Sequence, residues 1–577
     1  MPRILIRSVH FFKQVACLGR AHETSREAKM AIGSEIIGQA LKRQGADMFF
    51  YIMGGPMMHT ELATMGQGIR GIDVRHEQAA AMMAFAYARL RNRPGICMAA
   101  SGPATTNLVT GVAHAWADCT PVIALGGASP DVSTGHGVFQ EIEQLPMFEP
   151  CTKWADRVHD PRRIPELINR AFHEAMGGKP GPVYLDLPGD VLYAEVDENK
   201  IDWPDPWDPS KRARPAASDA EVRQIVERLK NAKQPVIISG SGILWSEAPD
   251  ELQKFVEATG IPFFTTPQGR GVIPEDHDYC YLTARSTAFR EADVILVLGT
   301  RMNYIIGHAA PPRFNADASV VRVDIDPGEI ANSPRKLDVG VVGDAKTVLG
   351  QLTDALQGQV TPDNYATWRE RLRGYNSEKE EAAEKVLSNP SRPVHPLRLC
   401  KEVRDFIDRD GILCVDGQEI LNFGRQAMPT FTPGHRLNSG CFGTMGVGLP
   451  FGVGAKAAKP DKQVVVVHGD GSFGFNAMEL DTAVRNDLPI TVVISLNGGW
   501  TADPKNEKPG RNLGFTRFDQ MAESLGCYGE FVEDPDEIRP ALDRAREANE
   551  AGRVALVNVR TDENAGATTT AFTQYRT

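Results

Sequence analysis

The sequence predicts an α/β protein of three doubly wound domains, each a parallel sheet covered by helices. Three observations carry that reading. The chain has 577 residues, enough for about three domains of roughly 100 to 200 residues each. From Ser34 onward short apolar runs alternate with helical stretches, the pattern of strands buried between helices. No short repeat underlies this alternation; what recurs is a domain-sized unit, three times.

Residues 1–30 carry Arg3, Arg7, Lys13, Arg20, Arg26 and Lys29 around Ile4-Leu5-Ile6 and Phe11-Phe12. Such a stretch can mimic a targeting peptide, but no small-residue cleavage site follows a long apolar core. A disordered leader is expected, with Met30 as an alternative native start. The first unit, 31–194, has apolar runs at 96–99 and 121–125 and closes on a strand at 183–187. Residues 195–217, with Asp202-Trp203-Pro204-Asp205-Pro206 and Lys211-Arg212, read as a linker wrapping the surface. Strands at 236–238, 294–298 and 320–325 define the central unit, 218–357. Its turn Ser239-Gly240-Ser241-Gly242 suits either a nucleotide phosphate or a plain structural role. A connector, 358–396, contains a polar helix at 365–386 and leads into the third unit, 397–561. The Thr-rich tail, 562–577, has no pattern and is expected to be disordered when the site is empty and to close over it as a lid.

Composition excludes several classes. With 42% hydrophobic and 24% charged residues the chain is ordinary for a soluble globular protein. A formal net charge of -11 argues against nucleic-acid or anionic-membrane partners, and no apolar run approaches the roughly 18 residues that span a bilayer. The 9 cysteines are scattered, without a CxxC pair or zinc-site spacing. They read as buried thiols in a reducing compartment, so a cytoplasmic location is expected.

The third unit holds the strongest chemical signal. Gly469-Asp470-Gly471-Ser472 follows the apolar run 464–467, and Asn497-Gly498-Gly499 follows the next, 490–496. Each strand delivers an oxygen ligand to its carboxyl end. The Asp470 carboxylate, the Asn497 side-chain oxygen and a loop carbonyl, assigned to Gly499, make three hard ligands; Mg²⁺ would complete its six with phosphate oxygens and water. Glycine lets the backbone at Gly471 and Ser472 approach a diphosphate, and a helix from about Asn476 would point its positive end there. A lone GDG triplet is usually an ordinary turn, but the Asn after the following strand makes the pattern specific. In the first unit Val74-Arg75-His76-Glu77-Gln78-Ala79-Ala80 ends a strand and opens an Ala- and Met-rich helix. Glu77 is there either a helix-dipole partner or a catalytic carboxylate, and the apolar surroundings favour the second.

These motifs resemble those of thiamine diphosphate enzymes, whose metal-binding ending is usually Asn-Asn and is Leu496-Asn497 here. The resemblance covers about 31–559. It implies that Glu77 polarises a ring nitrogen of the cofactor and that Met445, in Gly443-Thr444-Met445-Gly446, is the apolar wedge that bends it. The Gly443 carbonyl is then the acceptor for its amino group. It also implies that each site takes its first and third units from two chains, hence a homodimer at least and a tetramer by expectation.

The middle domain resembles that of 2-hydroxyacyl-CoA lyases and oxalyl-CoA decarboxylases at Thr266-Pro267-Gln268-Gly269-Arg270, at Thr283-Ala284-Arg285-Ser286 and at Gly299-Thr300-Arg301-Met302-Asn303-Tyr304. Acetolactate synthases carry a flavin-associated stretch instead. In the resembling enzymes a position like that of Asp324-Ile325-Asp326-Pro327 binds ADP or the nucleotide end of CoA. Arg285, Arg301, Asp324 and Ile325 are therefore nucleotide candidates, with domain-internal ion pairs the alternative for the arginines. Phe139-Gln140-Glu141 resembles the lyases, where decarboxylases show Tyr-Glu-Glu. Trp500-Thr501 stands where decarboxylases tend to carry tyrosine.

The branch so implied cleaves an acyl-CoA substrate, 2-hydroxyacyl-CoA, to formyl-CoA and an aldehyde or ketone, reversibly. Phe139 and Gln140 would face the substrate, and a base would take the 2-hydroxyl proton. Glu507, in the loop 501–510, matches the loop glutamate of a bacterial branch of the lyases. Alternatives are oxalyl-CoA decarboxylase, an acetolactate-synthase-like carboligase, and a silent cofactor-binding regulatory subunit, which would have no need of Glu77.

Overall fold

The structure, a computed structural model, describes residues 29–567. The expected leader, apart from Lys29 and Met30, and the tail beyond residue 567 lie outside the described residues. The first unit supplies β1 (Met30–Ile32), β2 (Met48–Tyr51), β3 (Arg70–Asp73), β4 (Gly95–Ala99), β5 (Val122–Ala128), β6 (Trp154–Arg157), β7 (Val183–Pro188) and β8 (Glu195–Asp197). Strands β9 (Pro235–Ser239), β10 (Phe263–Thr265), β11 (Val294–Leu298), β12 (Ser319–Asp324) and β13 (Val339–Val342) follow in the central unit. The third contains β14 (Ile412–Asp416), β15 (Arg436–Asn438), β16 (Val464–Gly469), β17 (Thr491–Leu496), β18 (Tyr528–Val532) and β19 (Ala555–Arg560).

Three parallel sheets result, in the orders β3-β2-β4-β5-β7-β6, β10-β9-β11-β12-β13 and β15-β14-β16-β17-β19-β18. The first and third have the same order counted along the chain. Valines 464 to 467 of β16 are all buried, as β-branched residues are in a sheet covered on both faces. In every sheet the chain goes first to one side and then crosses to the other. The order reverses between β2 and β4, between β9 and β11 and between β14 and β16, and clefts outside the carboxyl ends at such points receive ligands.

Outside these sheets β1 pairs antiparallel with β8, so Met30 and the first linker residues are strand. Downstream, residues 203 and 205 touch the first unit: the Arg43 guanidinium lies 4.0 Å over the Trp203 ring, and Asn169 donates to the Asp205 carbonyl at 2.7 Å.

The helix Glu77–Arg91 has no amphipathic stripe because it is enclosed, with Ala79 through Leu90 buried. Against it lies the helix Gly448–Ala458 of the third unit. Phe85 stacks on Phe451 with centroids 4.8 Å apart, and a Cβ on Gly454 would come within 2.6 Å of the Met83 carbonyl oxygen. Small residues are what allow two backbones to approach so closely. That contact fixes the first unit against the third.

Candidate active site

At the carboxyl end of β16 the chain turns directly into the helix Asp470–Asn476, with Gly469 as its N-cap. The helix expected from about Asn476 begins at Asp470 itself, where an acid in the first turn complements the helix dipole. Asp470 is buried, its Oδ1 accepting from the Gly471 amide at 2.8 Å and its Oδ2 from the Gly499 amide at 3.0 Å. Asn497, just past β17, also accepts from Gly499 N, through Oδ1 at 3.3 Å. One amide thus draws both side-chain oxygens to one point, on a turn that Gly498 makes at φ +72°.

Burial pushes the Asp470 carboxyl up to about 6, and it forms no ion pair among the described residues. A cation is what such a group lacks. Carboxylate, amide oxygen and carbonyl form a hard donor set that fits Mg²⁺. No cluster of three or more His, Cys, Asp or Glu among the described residues could hold a metal, so a metal here would rest on this mixed set.

A cavity of about 380 Å³ opens beside Asp470 at the switch point between β14 and β16, lined also by Gly417, Gln418, Glu419, Met445, Gly471, Ser472, Asn497, Gly499 and Trp500. Gly471 has a cause the sequence did not reveal: a Cβ there would lie 2.6 Å from Trp500 Cε3. Gly443 and Gly446 take φ of +73° and +84° and give the Met445 loop its shape, while Asn476 Nδ2 donates to the Gly446 carbonyl at 2.8 Å. The Ser472 hydroxyl donates to the Gly469 carbonyl at 3.0 Å and lies 3.1 Å from His468 Nδ1. Burial lowers that imidazole to about 3, so it is neutral.

Glu77 opens its helix, and its Oε2 accepts from Asn107 Nδ2 at 3.0 Å. Glu479, which no motif in the sequence marks, reaches over from the third unit. Its Oε1 accepts from the amides of Arg75 and His76, each at 3.1 Å, holding the backbone just ahead of Glu77. The available signal was an acid inside the apolar run Ala477-Met478-Glu479-Leu480. Every residue lining the Asp470 cavity lies at position 396 or beyond, so one chain does not bring Glu77 into it.

Phe139 is 86% exposed. Gln140 adopts φ +60° and accepts from Ser101 Oγ at 2.8 Å, beside the carboxyl end of β4 at the first sheet's switch point. Such backbone strain in a side-chain-bearing residue tends to mark functional loops. Glu507 is not brought to the cavity. Asp503 accepts from the amides of Glu507 and Lys508 at 3.1 and 2.8 Å, and the Glu507 side chain stands exposed on the turn so formed.

A larger cavity, about 920 Å³, occupies the switch point of the central sheet, where Ser241, Gly242, Gly299, Thr300, Arg301, Asp324 and Ile325 line it together with Lys179 and Arg212. Arg285, at the start of the helix Arg285–Glu291, is not among the lining residues. Ala288 and Phe289 of that helix pack into the central core. Arg301 donates to the Ala117 carbonyl and lies 3.8 Å from Asp118 Oδ1, so its pairing runs between units rather than within its own domain. Burial pushes the Asp324 carboxyl up to about 6. After the Ser239–Gly240 end of β9, a Cβ on Gly242 would lie 2.6 Å from Gly299 Cα, so this glycine lets the start of the helix Ser241–Trp245 pack against the backbone just past β11.

Family comparisons divide the chain in the same order. Residues 32–147 match the thiamine pyrophosphate enzyme N-terminal TPP binding domain, 222–352 the central domain and 421–559 the C-terminal TPP binding domain. Glu77 falls in the first match, Asp470 and Asn497 in the last. A 2-hydroxyacyl-CoA lyase of Arabidopsis thaliana is 33% identical over 567 residues, 93% of this chain and 96% of its own. An oxalyl-CoA decarboxylase of Escherichia coli K12 is 32% identical, covering 94% and 97%. A probable acetolactate synthase large subunit of Methanocaldococcus jannaschii is 34% identical, covering 90% of each chain. Among the described residues no helix is long and apolar enough to cross a membrane. With its three regions matched in order and relatives aligned along nearly all its length, the chain belongs to the thiamine pyrophosphate enzyme family, whose cofactor is thiamine diphosphate.

Proposed function

We propose that the protein is a thiamine diphosphate-dependent carbon-carbon lyase that cleaves 2-hydroxyacyl-CoA to formyl-CoA and an aldehyde or ketone, and joins them in reverse. The observation that carries the reading is the buried Asp470 carboxylate, without an ion-pair partner among the described residues, converging with Asn497 on the Gly499 amide at a switch-point cavity. When bound, the cofactor supplies a thiazolium carbon that adds to a carbonyl and an electron sink for the bond that breaks.

The chain's own residues do the rest. Asp470, Asn497 and the Gly499 carbonyl would hold Mg²⁺, and the backbone at Gly471 and Ser472, in the first turn of the helix Asp470–Asn476, would lie against the diphosphate. Met445, which lines the cavity, would be the apolar support for the cofactor, and the Gly443 carbonyl would be the acceptor for its amino group. Glu77 holds a proton at the ring nitrogen. Because Glu77 stands outside the cavity of its own chain, we assign it to the cavity of a second chain, in a homodimer that pairs into a tetramer. The base for the 2-hydroxyl proton is Glu507, brought inward by closure of the 501–510 loop; Gln140, strained and anchored to Ser101, is the second candidate, acting through a held water. Phe139 covers the acyl group. The central cavity holds ADP or the nucleotide end of the CoA substrate, with Asp324 and Ile325 at the ribose and Arg301 at its rim.

Relatives of three names at similar identity support a lyase or carboligase of this family; the finer assignment rests on Phe139, Gln140 and the middle domain. Incubating the full-length protein, cofactor and Mg²⁺ with a panel of 2-hydroxyacyl-CoA thioesters, oxalyl-CoA and pyruvate, with products read by mass spectrometry, tests it. Formyl-CoA with an aldehyde or ketone is expected. Formyl-CoA from oxalyl-CoA alone, or acetolactate, would replace this reading.

A further inference from the structure

Arg511 lies just beyond the candidate loop 501–510. Residues 498–500 and 511–513 run antiparallel: Gly499 bridges Asn512, Trp500 N donates to the Arg511 carbonyl at 3.1 Å and Leu513 N to the Gly498 carbonyl at 2.9 Å. Gly499, the candidate carbonyl ligand two residues past Asn497, is therefore on one strand of a short ribbon, and Arg511 is on the other.

Its guanidinium folds back beneath that ribbon. Arg511 is 7% exposed. Nε donates to the Thr501 carbonyl at 2.6 Å, Nη2 to the carbonyls of Asn497 at 3.1 Å and Glu563 at 3.3 Å, and Nη1 to Asn512 Oδ1 at 3.4 Å. Two of those carbonyls flank Gly499 in sequence, and the third comes from the segment after β19. A Cβ on Gly499 would lie 2.7 Å from Arg511 Nη1, so the guanidinium lies flat against this glycine. Among the described residues Arg511 makes no ion pair. A buried guanidinium satisfied only by neutral acceptors leaves its full positive charge directed at its surroundings. Those surroundings are the turn that presents Asn497 and Gly499 to the cavity.

We propose that Arg511 is the positioning residue of the cofactor site: its planar fork ties Asn497, Thr501 and Glu563 so that Asn497 Oδ1 and the Gly499 carbonyl face the metal, and its charge favours an anionic diphosphate there. A lysine would keep the charge but cannot span three carbonyls. This inference rests on the cofactor-site reading above.

Trp500 lines the cavity, so its fluorescence, assigned with a Trp500→Phe control, reports binding without turnover. Full-length wild type, Arg511→Lys, Arg511→Met and Asp470→Ala would be titrated with thiamine diphosphate at several Mg²⁺ concentrations. Residues that orient metal ligands typically change affinity about 10- to 100-fold. Arg511→Met is expected to need that much more Mg²⁺ and cofactor, Arg511→Lys an intermediate amount, and Asp470→Ala to give no saturable signal. A purely structural role would lower the melting temperature of the lysine variant without moving its Mg²⁺ dependence, and that result overturns the inference. Wild-type titration by Arg511→Met, with binding lost in Asp470→Ala, would also overturn it and leave the site reading standing. Wild-type titration by Asp470→Ala removes the site reading and the inference together. Should Arg511→Met fail to fold, Arg511→Lys decides alone: an unshifted Mg²⁺ dependence overturns the proposal.

Discussion

Glu61 is expected to make the protein lose stability as pH rises, and Glu61→Gln to abolish that loss. The residue lies within the helix Met58–Gly66, 1% exposed, and neither carboxylate oxygen finds a hydrogen-bond partner among the described residues. Burial without compensation pushes its carboxyl from 4.5 up to about 8. The folded chain therefore keeps a proton that the unfolded chain releases near the ordinary value. Between the two values the folded state binds more protons, so stability falls as pH rises, and it levels off once the folded group also ionises. At about 1.4 kcal/mol per pH unit, the whole interval amounts to about 5 kcal/mol. Glutamine keeps the shape and the unsatisfied polar atoms but cannot ionise. Urea unfolding of both proteins at about pH 4.5, 6 and 8.5 should give similar stabilities at the lowest pH, with the variant increasingly the more stable above it. Parallel pH profiles would refute the reasoning, because they would mean that Glu61 is ionised and paired in the folded protein.

Two further outcomes follow from named contacts. Glu77→Gln should bind cofactor nearly as wild type while deuterium exchange at the thiazolium carbon is suppressed, since an amide cannot hold the proton at the ring nitrogen; unchanged exchange by NMR removes Glu77 from the chemistry. Gly454→Ala should destabilise the protein by about 1 to 3 kcal/mol, as overpacking does, because its methyl would press on the Met83 carbonyl; a melting temperature equal to wild type would mean the two helices can separate at little cost.

What the sequence disclosed follows burial. The runs 464–467 and 490–496 were legible as strands because central parallel strands are apolar on both faces. The edge strands β6 and β18, Trp154–Arg157 and Tyr528–Val532, are largely half-buried, and their mixed sequences carry no such run. The start of the helix at Asp470 was missed because Gly-Asp-Gly reads as a turn on propensity; packing of Trp500 on Gly471 overrides it. Glu479 and Arg511 act on Arg75, His76 and Glu563, contacts that no local pattern encodes. Motif likeness pointed to Arg301, Asp324 and Ile325, which line the central cavity, and equally to Arg285, which does not. For Glu507 it gave a residue type in the right loop, while the turn capped by Asp503 decides where the side chain stands.

The central claim is that Glu77 of one chain completes the Asp470 cavity of another. Glu77→Gln and Asp470→Ala chains, each expected to be inactive alone, can be co-expressed with different tags and purified as the mixed dimer. Two-fold symmetry then leaves one site with both residues lost and one with both intact. The account predicts about half the wild-type activity per mixed dimer. An inactive mixed dimer that still binds cofactor would contradict it, placing Glu77 and Asp470 in the site of a single chain.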